Sequence, residues 1–118
     1  MPGRKESYVI VLTTCGSRRE ARRIAEALVR GRLAACVSIS GAPMHSVYRW
    51  KGAIEHAGEF LLLIKSARSR LKALQGEIQR LHSYDVPEFL VLPVAAGSRA
   101  YLQWLDDCLR PHRRGKRP

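Results

Sequence analysis

The sequence predicts an α+β sandwich in which two helices cover one face of a four-stranded antiparallel sheet, with an extra helix at the C-terminal end. Three observations predict it. Apolar runs suited to strands alternate with amphipathic segments of helical period, in the order β-α-β-β-α-β. A capping box, Ser17-Arg18-Arg19-Glu20, marks where the first helix begins. Pro87, within His82-Ser83-Tyr84-Asp85-Val86-Pro87-Glu88, forces Val86 out of the helical region and closes the second helical segment. The order is that of the split-βαβ, ferredoxin-like arrangement.

Each element has its own warrant. Tyr8 to Thr14 is a continuous apolar, β-branched run, the pattern of a buried strand, and Gly16 ends it. Ala21, Ile24, Ala25, Leu28 and Val29 then recur on one helical face, with Gly31 just past the helix end. Leu33 to Ser40 alternates, placing Leu33, Ala35, Val37 and Ile39 on one side of a second strand. Gly41-Ala42-Pro43 interrupts it, and Ser46 to Trp50 is extended again. Lys51-Gly52 permits a turn, and Ile54 to Lys65 returns as a strand loosely broken at Ala57-Gly58. Ser66 or Ser69 is positioned to cap a second helix with the face Leu71, Leu74, Ile78 and Leu81. Phe89 to Val94 is the last strand, and Pro93 restricts it to an edge or a bulge. Gly97-Ser98 opens a terminal helix whose face is Tyr101, Trp104, Leu105 and Cys108, and Pro111 ends it.

At 118 residues the chain suffices for one domain with one core. We divide it into a flexible N-terminus over 1–7, a folded domain over 8–109 and a basic disordered tail over 110–118. The longest apolar run, Phe60 to Ile64, is strand-sized, so no membrane span is expected, and the polar start is no signal peptide. Cys15, Cys36 and Cys108 are odd in number and widely spaced, which points to a reducing cytoplasm. The net charge of +11 concentrates in the tail and in Arg18, Arg19, Arg22, Arg23 and Arg30. No aromatic residues interleave the tail, so a solvated surface is expected there in preference to nucleic-acid binding.

Residues 33 to 50 taken as one strand would extend roughly 60 Å at ~3.3 Å per residue. A domain of this size has a radius of gyration near ~13 Å. The distal hairpin, Met44 to Ala57, must therefore project beyond the helices as an arm carrying Val47, Tyr48, Trp50 and Ile54. An isolated hairpin is marginal in water and its edges invite pairing, so a homo-oligomer built through these arms is expected.

Five segments in this order resemble the CutA family of divalent-cation tolerance proteins. They are Leu33-Ala34-Ala35-Cys36-Val37 after Gly31-Arg32, Tyr48-Arg49-Trp50-Lys51-Gly52, Leu62-Leu63-Ile64-Lys65, the His82–Glu88 stretch, and Tyr101-Leu102-x-Trp104-Leu105. The resemblance runs from Val9 to Leu109. It implies a ferredoxin-like chain in a tight homotrimer joined by strand pairing, and structural kinship with the PII signal-transduction proteins. It also implies a role in the response to copper or another divalent metal, with no organic cofactor. The copper ligands that the family implies are a cysteine near the end of the first strand and a His-His pair before a Pro-Tyr step. Here Thr13 holds the cysteine position, with Cys15 two residues on. Leu81-His82 replaces the pair, and Ser83 replaces the proline.

The candidate metal ligands are accordingly His82 and Cys15. A metal site wants several converging donors, and His82 at a helix end has the alternative of serving the last carbonyls. Cys15 lies near a helix N-terminus, where a thiol pKa can be depressed. Cys36 reads as an inert strand thiol and Cys108 as part of the terminal helix's apolar face. His45 and His56 sit on the arm and could meet across an interface, and His112 belongs to the tail. The family resemblance further suggests a cleft between subunits lined by Tyr48, Trp50, Tyr84 and Trp104, with charges from Glu59, Lys65 and Glu88. Arg49 and Lys65 could there face an anionic metabolite or nucleotide in the manner of a PII-like module, the alternative function. No nucleophile elbow and no acid/base pair emerges, so the chain is expected not to be an enzyme.

Overall fold

The computed structural model describes residues 7–111. The expected flexible N-terminus lies outside the described residues save for Ser7, as does the basic tail, His112 included, save for Arg110 and Pro111. The elements are β1 (Tyr8–Cys15), α1 (Arg18–Arg30), β2 (Cys36–Ile39), β3 (Met44–Trp50), β4 (Ala53–Ala67), α2 (Leu71–Leu81), β5 (Leu90–Pro93) and α3 (Arg99–Leu109). The sheet order is β2-β4-β1-β5, all antiparallel, and β3 pairs with the distal half of β4. β2 and β3 act as two halves of one strand bent at Gly41-Ala42-Pro43. The result is the predicted ferredoxin-like sandwich with an added C-terminal helix.

The main core lies between the sheet and α1/α2, where Val9, Val11, Ile24, Leu28, Leu62, Ile64, Leu74 and Ile78 are fully buried. A second, smaller cluster lies on the opposite sheet face, where Leu105 and Leu109 of α3 pack on Ala35 and Ala67. Two arginines fasten α3 at its C-terminal end: Arg32 donates to the Cys108 carbonyl at 2.9 Å and Arg70 to the Leu109 carbonyl at 2.6 Å. Cations on the last carbonyls of a helix suit its dipole. Tyr101 and Trp104, expected on the inner face of α3, remain about half exposed and pack on each other with ring centroids 5.3 Å apart.

Several boundaries differ from the sequence reading for identifiable reasons. Leu33 and Ala34 do not join β2, because their N–H groups are spent on the Leu28 carbonyl at the end of α1. Ladder bonds to β4 begin at Ala35 and run to Ser40, and Ala35 turns to the α3 side while Val37 and Ile39 face the main core. β4 is not broken at Ala57-Gly58, because β3 pairs with it continuously from Met44↔Glu59 to Trp50↔Ala53. Neither Ser66 nor Ser69 caps α2: a 3-10 turn over Arg68–Arg70 leads in, and Ser66 donates instead to the Leu33 carbonyl at 2.7 Å.

The arm projects as expected. Lys51 and Gly52 both have positive φ, the requirement of a type I′ hairpin turn. The radius of gyration is 15.9 Å and the extents are 53 × 30 × 25 Å, elongated for a domain of this length. Among the described residues, no helix is long and apolar enough to cross a membrane.

Candidate functional site

The His82–Glu88 stretch is built from three elements. α2 ends at His82, whose N–H still bonds the Ile78 carbonyl at 2.9 Å. The side chain then folds back under the end of β1. Its Nε2 donates to the Thr14 carbonyl at 2.7 Å, and its Nδ1 accepts from the Tyr84 N–H at 3.1 Å. The hydrogen bonds select the neutral ring protonated on Nε2. Glu20 Oε2 stands 3.5 Å from Nδ1, but the hydrogen at that nitrogen comes from Tyr84. The carboxylate of Glu20 is engaged elsewhere, accepting from the Ser83 N–H at 2.6 Å and the Ser83 hydroxyl at 3.1 Å. The capping box of α1 is thus half formed. Ser17 accepts from the Glu20 N–H, while the Glu20 side chain crosses to the turn. Arg23 adds a bond to the Leu81 carbonyl at 3.0 Å, so α1 closes the end of α2.

Tyr84 carries the stretch into the sheet. Its hydroxyl donates to Glu59 Oε2 at 2.8 Å, and Thr14 donates to the same oxygen at 3.3 Å. Gly16 leaves room for the ring, since a Cβ there would stand 3.3 Å from the Tyr84 oxygen. Burial, the bond to Glu59 and the charge of that carboxylate hold the phenol well above its usual range. Burial, then the charge of Glu59, also raises the carboxyl of Glu88. These groups open onto a cleft of about 530 Å³ between the arm and the 84–88 turn. Tyr48, Trp50, Glu59, Tyr84 and Glu88 line it together. Asp85 joins them, and no lysine or arginine is among its lining residues.

Within one chain, Lys65 and Trp104 lie outside this cleft. Lys65 extends along the proximal half of β4, with Nζ 3.5 Å from the Ser38 hydroxyl and 3.9 Å from the Cys36 sulfur. Trp104 lies on α3. Sequence spacing held this signal, because Glu59 and Lys65 share a sheet face but stand roughly 20 Å apart along a strand. Thr14, Ser46, Val47, Asp85, Val86 and Pro87 are the cleft residues that the sequence reading did not assign to it.

The metal donors fit poorly. Both ring nitrogens of His82 are engaged within the chain. Cys15 is fully buried on the core face of β1. Its thiol is pushed up to about 12 by burial, then by the charges of Glu20 and Glu59, against the lowering expected of a helix N-terminus. Thr13, at the position where the resemblance implies a cysteine ligand, is buried with its hydroxyl unpartnered, and a hydroxyl is a poor ligand for a soft metal. Among the described residues no group of three or more His, Cys, Asp or Glu side chains could hold a metal ion.

The thiol makes a testable statement about alkaline stability. Below pH 9.0 it is neutral in folded and unfolded chains alike. Between 9.0 and about 12 the unfolded chain ionises it while the folded chain keeps the proton, so stability falls as pH rises. Urea midpoints at about pH 8 and about pH 10 are expected to converge in Cys15→Ala relative to the parent chain. An unchanged gap would show that other groups set the alkaline limit.

Comparison with known proteins places this architecture. A family described as CutA1 divalent ion tolerance protein matches residues 9–108. The divalent-cation tolerance protein CutA of Thermus thermophilus is 46% identical over 98 residues, covering 83% of this chain and 94% of its own. That of Pectobacterium atrosepticum is 44% identical over 103 residues, covering 86% and 92%. Among solved structures, CutA from Synechococcus elongatus superposes with a TM-score of 0.84 at 42% identity, covering 90% of this chain and 93% of that one. The family assignment makes this a non-enzymatic protein. By sequence, fold and the extent of the match, the chain belongs to the CutA1 divalent ion tolerance protein family.

Proposed function

We propose that the chain serves divalent-cation tolerance as a cytoplasmic homotrimer whose acidic, aromatic cleft receives a hydrated divalent cation. The observation that carries this reading is the charge of the cleft. Glu59, Asp85 and Glu88 line it with no lysine or arginine among them. Burial is the first cause of the raised Glu88 carboxyl, and the nearby charge of Glu59 adds a like-charge repulsion that a cation would relieve. Both hydrogen bonds to Glu59 fall on Oε2, so Oε1 is available to a ligand. A hard divalent ion that keeps several waters binds through one or two carboxylates and asks for no larger donor cluster. The same charge counts against the PII-like alternative, in which an anionic metabolite or nucleotide would occupy the cleft. Copper held by His82 and Cys15 is likewise disfavoured by the engagement of both His82 ring nitrogens and by the burial of the Cys15 thiol. The three cysteines are free, in keeping with a reducing compartment.

Titration calorimetry with Mg(II), Ca(II) and Mn(II), set against ATP, tests the cleft. Glu59→Gln and Glu88→Gln are each expected to weaken cation binding about tenfold. That is ~1.4 kcal/mol, well inside the ~4 kcal/mol Coulomb limit for a 4 Å pair near a surface. Nucleotide binding with no cation binding would reverse the assignment.

A further inference from the structure

We propose that His45 and His56 form a two-imidazole chelate for a divalent transition-metal ion on the far face of the β3–β4 arm. The register brings them together: Val47 lies opposite His56 and Gly58 opposite His45, so the two histidines are diagonal neighbours on one side of the hairpin. Gly58 has no side chain to compete with the ring of His45. Tyr48, Trp50 and Glu59 alternate onto the other side, so the pair is separate from the cleft.

The rings are already at chelating distance. His45 Nε2 and His56 Nδ1 are 2.9 Å apart, with ring centroids at 5.1 Å and planes at 85°. Two nitrogens each ~2.05 Å from one ion stand ~2.9 Å apart at a right angle and ~3.4 Å apart at a tetrahedral angle. The observed 2.9 Å is that of an N–H···N hydrogen bond and lies within a small ring rotation of either geometry, and at two imidazoles the affinity order favours Cu(II) over Ni(II) and Zn(II). In the metal-free pair one N–H is shared between the nitrogens. On binding, the proton moves to the other nitrogen of the donating ring and a small ring rotation turns both lone pairs to the ion. Two neutral imidazoles then release no net proton. Both side chains are exposed, so water completes the coordination.

The site stands on hairpin geometry and is independent of the cleft assignment. The test titrates the full-length assembled protein with Cu(II), Ni(II) and Zn(II), following d–d absorption and the histidine ring signals by NMR. About one ion per chain is expected. His45→Gln and His56→Gln should each weaken binding about tenfold or more, because each removes the effective concentration that chelation provides. Both positions are exposed, so an unchanged circular dichroism spectrum is expected to accompany the loss. Cys15→Ser and Glu59→Gln should leave this binding in place. Cu(II) binding that survives both histidine substitutions overturns the proposal, as does tighter binding of Zn(II) than of Cu(II). If Glu59→Gln leaves Mg(II) unaffected while the histidine variants lose Cu(II), the cleft reading fails alone.

Discussion

His82→Ala is expected to destabilise the folded chain by about 3 kcal/mol, among the largest effects of any single polar substitution. The side chain is completely shielded from solvent and holds two otherwise separate backbone segments. One bond goes to the Thr14 carbonyl at the end of β1 and the other comes from the Tyr84 N–H in the turn. Each bond contributes about 1 kcal/mol net, but a partner left buried and unsatisfied costs about 1–3 kcal/mol. The vacated ring volume adds a cavity term. Urea unfolding monitored by circular dichroism measures the sum. His82→Phe fills the volume without the bonds and should recover part of the loss. The role is structural, so the deficit should be the same with and without a metal chelator. A deficit that appears only when metal is present would instead identify His82 as a ligand, and one below about 1 kcal/mol would show that the bonds are not holding the turn.

The consequences reach the cleft through Tyr84. Its N–H is fixed by His82 and its hydroxyl by Glu59, so the phenol is held at both ends. The seven residues that stood out in the sequence are therefore a joint with a chemical surface. His82, Ser83 and the backbone of Tyr84 lock α1, α2 and β1 together, and the ring of Tyr84, Asp85 and Glu88 face the opening.

What the sequence revealed and what it concealed divide along physical lines. Period-two and period-3.6 patterns follow from which face meets the core, so the element order was legible. Side chains that act across the fold were not. Glu20 has the spacing of a capping box, yet its carboxylate serves Ser83, 63 residues away. Nothing in a local pattern distinguishes those two uses. Arg32 takes φ of 59° one residue past Gly31, and its side chain is drawn to the end of α3. Arg18 and Arg23 look like surface charge in a basic helix, but they bond the Gly41 and Leu81 carbonyls. The His45–His56 pair lay within reach of the sequence. Once Lys51-Gly52 is taken as a two-residue turn, counting back along both strands sets Val47 opposite His56 and His45 diagonal to it.

Leu92→Glu is expected to abolish assembly while leaving the single chain folded. The argument begins with the sheet face that the two principal helices do not cover. In register across β5, β1 and β4, it carries Leu90 and Leu92, then Leu12 and Ile10, then Leu63 beside Leu12 and Leu61 beside Thr14. α3 shields the end near Tyr8, Ala35 and Ala67 and leaves the rest open. Leu90 and Leu92 are 55% and 48% exposed, and on the same side of the sheet the arm adds Tyr48 and Trp50, 44% and 43% exposed. An exposed apolar face joined to a projecting hairpin is the kind of surface that homo-oligomers cover with copies of themselves. A glutamate at position 92 costs the separate chain little, because the leucine is already half in water. In an assembled homotrimer it would meet apolar neighbours at every interface. A misplaced charge at an interface costs several kcal/mol, and ~3 kcal/mol per contact weakens association more than a hundredfold. Light scattering at micromolar concentration should therefore give three chains per particle for the parent protein and one for Leu92→Glu. Lys72→Glu, an exposed change on the helical side, should leave the trimer intact. A parent chain that is monomeric, or a Leu92→Glu variant that remains trimeric, would show that this face is not where the copies meet.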